Sequence, residues 1–127
     1  MNNKLREKLK DALRLYGADL GFVLTDMQVQ KLLDAGTYEE IPTVDCDGQK
    51  LANAIMTVGK VLQQSDDGKS YIAAIGSGVG NMNVAMIAIE LDGERLEMLA
   101  VAREGLIKQQ TAKKAISRVQ EALINKC

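Results

Sequence analysis

The run Val84-Ala-Met-Ile-Ala-Ile89 carries no charge and does not alternate apolar with polar residues. A strand of that composition has to be covered on both faces. Two signals bracket it: the glycine-rich stretch Gly76-Ser-Gly-Val-Gly-Asn81 before it, and Asp92-Gly93 after it. The glycines can be read as a phosphate cradle between a strand and a helix, or as a connection between two strands of a meander. The two readings imply different functions.

Asp92-Gly93 shifts the balance toward strands. It separates Ile87–Leu91 from the apolar-rich segment Glu94–Val101, and Asp-Gly between such runs marks a hairpin, because both residues tolerate positive φ. With Tyr71–Ile75 as a further run, the C-terminal half predicts a three-stranded antiparallel meander. As a dinucleotide fingerprint the glycine stretch is incomplete, since Asn81 stands at the third glycine position and the segment from Met82 to Glu90 is rich in Val and Ile rather than helical. On the nucleotide reading, Glu104 would take the ribose and Arg103 a 2′-phosphate, but only one βαβ unit would exist. No Lys-Ser/Thr follows the glycines, which excludes a P-loop. Gly76, Ser77, Gly78, Gly80 and Asn81 remain the candidate ligand-binding residues, for a nucleotide or phosphorylated metabolite.

The first half reads as helical. Leu5, Leu9, Ala12, Leu13 and Tyr16 recur at helical spacing before Gly17, predicting a helix over 3–16. Leu20–Leu24 is a short apolar run suited to a buried strand. Thr25-Asp-Met-Gln28 forms a capping box that opens a helix to about Ala35, with Gly36 as its stop. Residues 37–48 read as an acidic connection, in which Pro42 disfavours helix at Ile41. Asp47 is suited to N-cap a helix whose stripe is Leu51, Ala54, Ile55, Val58, Val61 and Leu62. Gly59 weakens that helix and lets another element approach closely. Ser65-Asp-Asp-Gly-Lys69 is a turn. A long last helix over 108–125 presents Ala112, Ala115, Ile116, Val119, Ala122 and Leu123 on one face.

The expected fold is therefore α+β: an antiparallel meander of three strands, or four or five if earlier segments join it, packed against N-terminal helices and a long C-terminal helix. At 127 residues this is one domain, 1–127, large enough to bury a core without staples. The closing order, a helix leading into a meander closed by a C-terminal helix, is similar to the Roadblock and profilin-like arrangement. That resemblance of element order implies a dimeric interaction module and nothing about chemistry.

Absences narrow the chemistry. The chain has no His, so Ser-His-Asp and Cys-His catalysis are excluded within it, and the commonest metal ligand is missing. Its two cysteines, Cys46 and Cys127, have no CxxC spacing. Asp45 and Asp47 flank Cys46 and favour the neutral thiol. An EF-hand starting at Asp45 would need Gly and Glu where Lys50 and Met56 stand. A net charge of −1, one Phe, three Tyr and no Trp offer nucleic acid little to bind. The longest apolar run is too short to span a bilayer, and charges recur through the N-terminus, so a cytoplasmic protein is expected. No cofactor is implied.

Two further patterns bear on partners. Lys4, Arg6, Lys8, Lys10 and Arg14 crowd the first helix, while Asp34, Glu39, Glu40, Asp45 and Asp47 crowd the stretch after the second. These could pair within a molecule or between copies. Met82, Met86 and Met98 fall on the meander, where core filling is the ordinary role and an adaptable binding surface the sharper one. The leading expectation is a non-enzymatic binding or interaction module, a homodimer or partner of another protein. A small-ligand binder or enzyme using Gly76–Asn81 is the alternative, and a metal-dependent hydrolase or lyase built on the acidic stretch a third.

Overall fold

The computed structural model describes residues 3–20, 24–42, 47–77, 83–102 and 110–126. Helix α1 (Asn3–Tyr16) runs into a 3-10 turn at Gly17–Leu20. Helix α2 (Asp26–Asp34), strand β1 (Thr37–Pro42), helix α3 (Gly48–Val58) and strands β2 (Gly59–Gln64), β3 (Ser70–Ser77), β4 (Asn83–Asp92) and β5 (Arg95–Ala102) follow, and helix α4 (Thr111–Lys126) closes the chain. All five strands form one antiparallel sheet in the order β1-β5-β4-β3-β2. The fold is α+β, as the sequence implies, with β2 to β5 as a continuous meander and β1 added beside β5.

The unalternating run becomes the central strand. Along β4, Ala85, Ile87 and Ile89 face α3 and α4, while Met86 and Ala88 face α1 and α2; all five are fully buried. Each such Ile or Met side chain contributes about 1.5–3 kcal/mol relative to exposure. Helices of the same chain thus supply both covers. Leu5, Leu9 and Leu13 of α1 and Leu33 of α2 close one face, and Leu51 and Ile55 of α3 with Ile116, Val119 and Leu123 of α4 close the other. Met86 and Met98 are both core residues; Met82 lies outside the described residues.

Local signals explain the element ends. The Thr25 hydroxyl accepts from the Gln28 amide at 3.2 Å and the Gln28 side chain accepts from the Thr25 amide at 2.8 Å, completing the expected capping box. The Asp47 carboxylate caps α3 through the Lys50 amide at 2.9 Å. In the β4–β5 hairpin the loop residues are Gly93 and Glu94, and Gly93 alone takes positive φ, at 62°. That follows the pattern of turns with glycine at the first central position rather than the Asp-Gly pair expected from the sequence.

Three expectations need correction. Thr37–Pro42 is an edge strand, not a loop, although Pro42 does keep this stretch from being helical. The third helix stops at Val58, and Val61 and Leu62 belong to β2. They kept helical spacing by coincidence: Val61 packs toward the α3/α4 core and Leu62 toward the α1/α2 core, as neighbouring strand residues do. Finally, Leu20 sits in the 3-10 turn rather than in a strand; residues 21–23 lie outside the described residues. The close approach expected at Gly59 is real, because a Cβ there would collide with the carbonyl of Ala74 on β3.

Candidate functional site

The glycine-rich stretch joins two antiparallel strands. Gly76 and Ser77 end β3 opposite Val84 and Asn83 at the start of β4, so no helix N-terminus of the fingerprint kind follows the glycines. The described part of the candidate site is Gly76, whose carbonyl accepts from Nη1 of Arg118 on α4, and Ser77, the last residue of β3. Gly78, Gly80 and Asn81 lie outside the described residues, as do Asp45, Cys46, Arg103, Glu104 and Cys127. A guanidinium therefore stands beside the strand end that leads into the loop.

The other end of the sheet carries a polar row invisible in the sequence. Cross-strand registers align Ser70, Glu90, Glu97 and Glu40 on the face covered by α1 and α2. Three carboxylates in adjacent strands repel unless cations and hydroxyls answer them. Lys4 Nζ lies 2.6 Å from Glu90 Oε1 and Lys8 Nζ 3.5 Å from Glu90 Oε2. Arg95 pairs with Glu40. Tyr38 donates its one hydroxyl proton to Glu97 at 2.7 Å, with Glu40 Oε2 3.3 Å from the same oxygen. Burial first, then these two carboxylates, push the Tyr38 hydroxyl well above its ordinary value of 10.0, because phenolate there would be poorly solvated and repelled. The Lys4 ammonium is raised from 10.5, chiefly by its hydrogen bond to Glu90.

These contacts also account for the basic helix. Arg6 bonds Asp34 at 2.5 Å, and Arg14 reaches Asp26 at 3.4 Å, tying α1 to α2. Arg6–Asp34 is the pairing within one molecule that the charge pattern suggested. Four of the five cations of α1, Lys4, Arg6, Lys8 and Arg14, thus pair with acids of the same chain, Lys4 and Arg14 while largely exposed.

Beside the polar row, a cleft of ≈ 210 Å³ opens between α1 and the corner where β2 turns into β3. Lys8 and Asp11 line it from α1, Gln63 and Gln64 from β2, Ser70 and Tyr71 from β3. Lys8 Nζ donates to Ser70 Oγ at 2.6 Å. Lys8 Nζ also lies 3.5 Å from Glu90 Oε2, so it bridges the serine and the carboxylate. The Tyr71 hydroxyl, raised by burial and then by Asp67, is held by the carbonyl of Gly48 at 3.0 Å. Residues as far apart as Lys8 and Ser70 meet here only through the fold, so no local motif announces the cleft.

A second hollow, ≈ 400 Å³, lies between α2 and the start of α4, against Leu32, Ala35, Thr37 and Ala102. Among the described residues no group of three or more His, Cys, Asp or Glu side chains is placed to hold a metal ion, and no described helix is long and apolar enough to cross a membrane. No known protein-family model and no curated protein matches the chain.

Proposed function

We propose that the chain is a non-enzymatic binding module that self-associates along the free edge of β2. The observation that carries this reading is the contrast between the two edges of the sheet. At one edge, β1 ends in Pro42, which has no N–H to offer, and carries Glu39 and Glu40. A two-fold pairing of β1 keeps opposed side chains on one face, so it would set Glu39 opposite Glu39 of the partner subunit, or Glu40 opposite Glu40 of the partner subunit, with like charges at its centre. At the other edge, the same operation on Gly59–Gln64 sets Lys60 opposite Gln63 and brings no like charges together. The helix leading into β2 adds Met56, 58 % exposed. The shortness of β2 and its bulge between Val61 and Gln63 blunt the edge, which suits reversible association rather than aggregation.

Light scattering and sedimentation equilibrium test the reading, and charge makes the test specific. Gln63→Lys places two new like-charge pairs across the symmetric edge. At about 0.2–1 kcal/mol per pair, the dissociation constant should rise roughly 2- to 30-fold. Gln63→Glu, opposite Lys60, should lower it. A chain that stays monomeric at high micromolar concentration contradicts the proposal.

A second reading, a small phosphorylated ligand held by Gly76–Asn81, is favoured by one observation, the Arg118 guanidinium beside Gly76. Thermal denaturation with nucleotides and sugar phosphates checks it. A ligand at a hundredfold excess over its dissociation constant adds about 2.7 kcal/mol, and a flat response across the panel removes this reading.

A further inference from the structure

We propose that the cleft between α1 and the β2–β3 corner binds a small zwitterion, a free α-amino acid with a short side chain. Size sets the first limit. At the ~30 Å³ that a water occupies in the liquid, ≈ 210 Å³ holds roughly seven non-hydrogen atoms, the scale of alanine, serine or threonine. Charge sets the second. One ammonium, Lys8, and one carboxylate, Asp11, line the cleft from the same helix three residues apart, so both lie on one face and neither sign dominates. A lining of this kind selects a ligand that is neutral overall and charged at each end.

The donor and acceptor inventory fits that ligand. Lys8 has three N–H donors; one goes to Ser70 Oγ at 2.6 Å and a second points to Glu90 Oε2 at a long 3.5 Å, leaving one for a ligand carboxylate. Asp11 and Gln63 have no side-chain partner among the described residues, and Gln63 shares the sheet face of Ile72, so a carboxylate and one amide are open to a ligand ammonium and its oxygens. Buried Ile72, on the sheet face that α1 covers, forms an apolar floor on which a methyl or hydroxymethyl group can rest. Gln63 belongs both to this cleft and to the β2 edge, whereas Lys8, Asp11, Ser70 and Ile72 lie away from that edge, so the cleft is complete in the monomer.

The test is a ¹H–¹⁵N NMR titration at a concentration where light scattering shows monomer, using alanine and serine against propionate and ethylamine, which each keep one charged end. Saturable shifts confined to residues 8–11, 63–65 and 70–72 are expected with the zwitterions, with binding about tenfold or more weaker for either singly charged analogue. Asp11→Asn, at an exposed position without a side-chain partner among the described residues, should weaken amino-acid binding by a similar factor while leaving the thermal midpoint in place. Unsaturable shifts with both amino acids, equal responses to the singly charged analogues, or full binding by the Asn variant would each overturn the proposal.

Discussion

Gly59 and Tyr38 show how much one position can demand. The φ of Gly59 is −167°, ordinary extended backbone, so no left-handed conformation requires glycine there. Proximity does, since the carbonyl of Ala74 and the Ile75 side chain occupy the space of a Cβ. Gly59→Ala should cost about 1–3 kcal/mol in urea denaturation, by forcing β2 away from β3. Tyr38 makes a pH prediction with a definite sign. Its folded pKa lies above the ordinary 10.0, so the unfolded chain releases this proton first. Stability is full below pH 10 and declines as pH rises above it; Lys4, raised from 10.5, acts in the same direction. The thermal midpoint should therefore fall in alkali, and Tyr38→Phe should reduce that fall. An alkaline decline unchanged in the Phe variant would contradict the assignment.

Helices announced themselves better than strands. The faces of α1 and α4 and the caps at Thr25 and Asp47 were legible because periodicity and capping are local. Thr37-Tyr-Glu-Glu-Ile-Pro42 was not, because a solvated edge strand needs little apolar alternation, and Glu40 is answered by Arg95 from the neighbouring strand, with the Tyr38 hydroxyl of the strand itself beside it. At β2 a true signal, Gly59, was outweighed by helical spacing that ran on through Leu62. The candidate site was less legible still, since Lys8, Gln63 and Ser70 converge only after α1 lies across the sheet. That docking can be tested at Glu90, whose side chain is 13 % exposed between two lysines. Glu90→Gln loses their attraction but also relieves repulsion from Glu97 in the facing register position. The close Lys4 pair should win, giving a net loss of about 1 kcal/mol at low salt that shrinks in high salt.

Across the whole molecule, the sheet is sealed by its own helices, which changes the case for a partner. An apolar strand with two faces needs a cover on each, from its own helices or from a second subunit. With α1 and α2 on one side and α3 and α4 on the other, the place for a partner passes to the sheet edge, where pairing is by backbone and charge. Both cores share the same three inner strands, so neither layer can leave without exposing the residues that anchor the other. Calorimetry should accordingly show one transition with equal calorimetric and van't Hoff enthalpies at concentrations where the chain is monomeric. Its heat-capacity change should be about 1.5–1.9 kcal/mol/K for 127 residues. Two separable transitions would mean that the layers fold independently.

Val58 ends α3 and Gly59 begins β2 with nothing between them. The joint therefore has no slack. A residue inserted there would have to reverse the faces of β2 or lift α3 from its core, whereas the turn at 65–69 can lengthen into solvent. A displacement of the edge strand would be passed straight to the helix, making α3 the place where a reporter group would register events at β2.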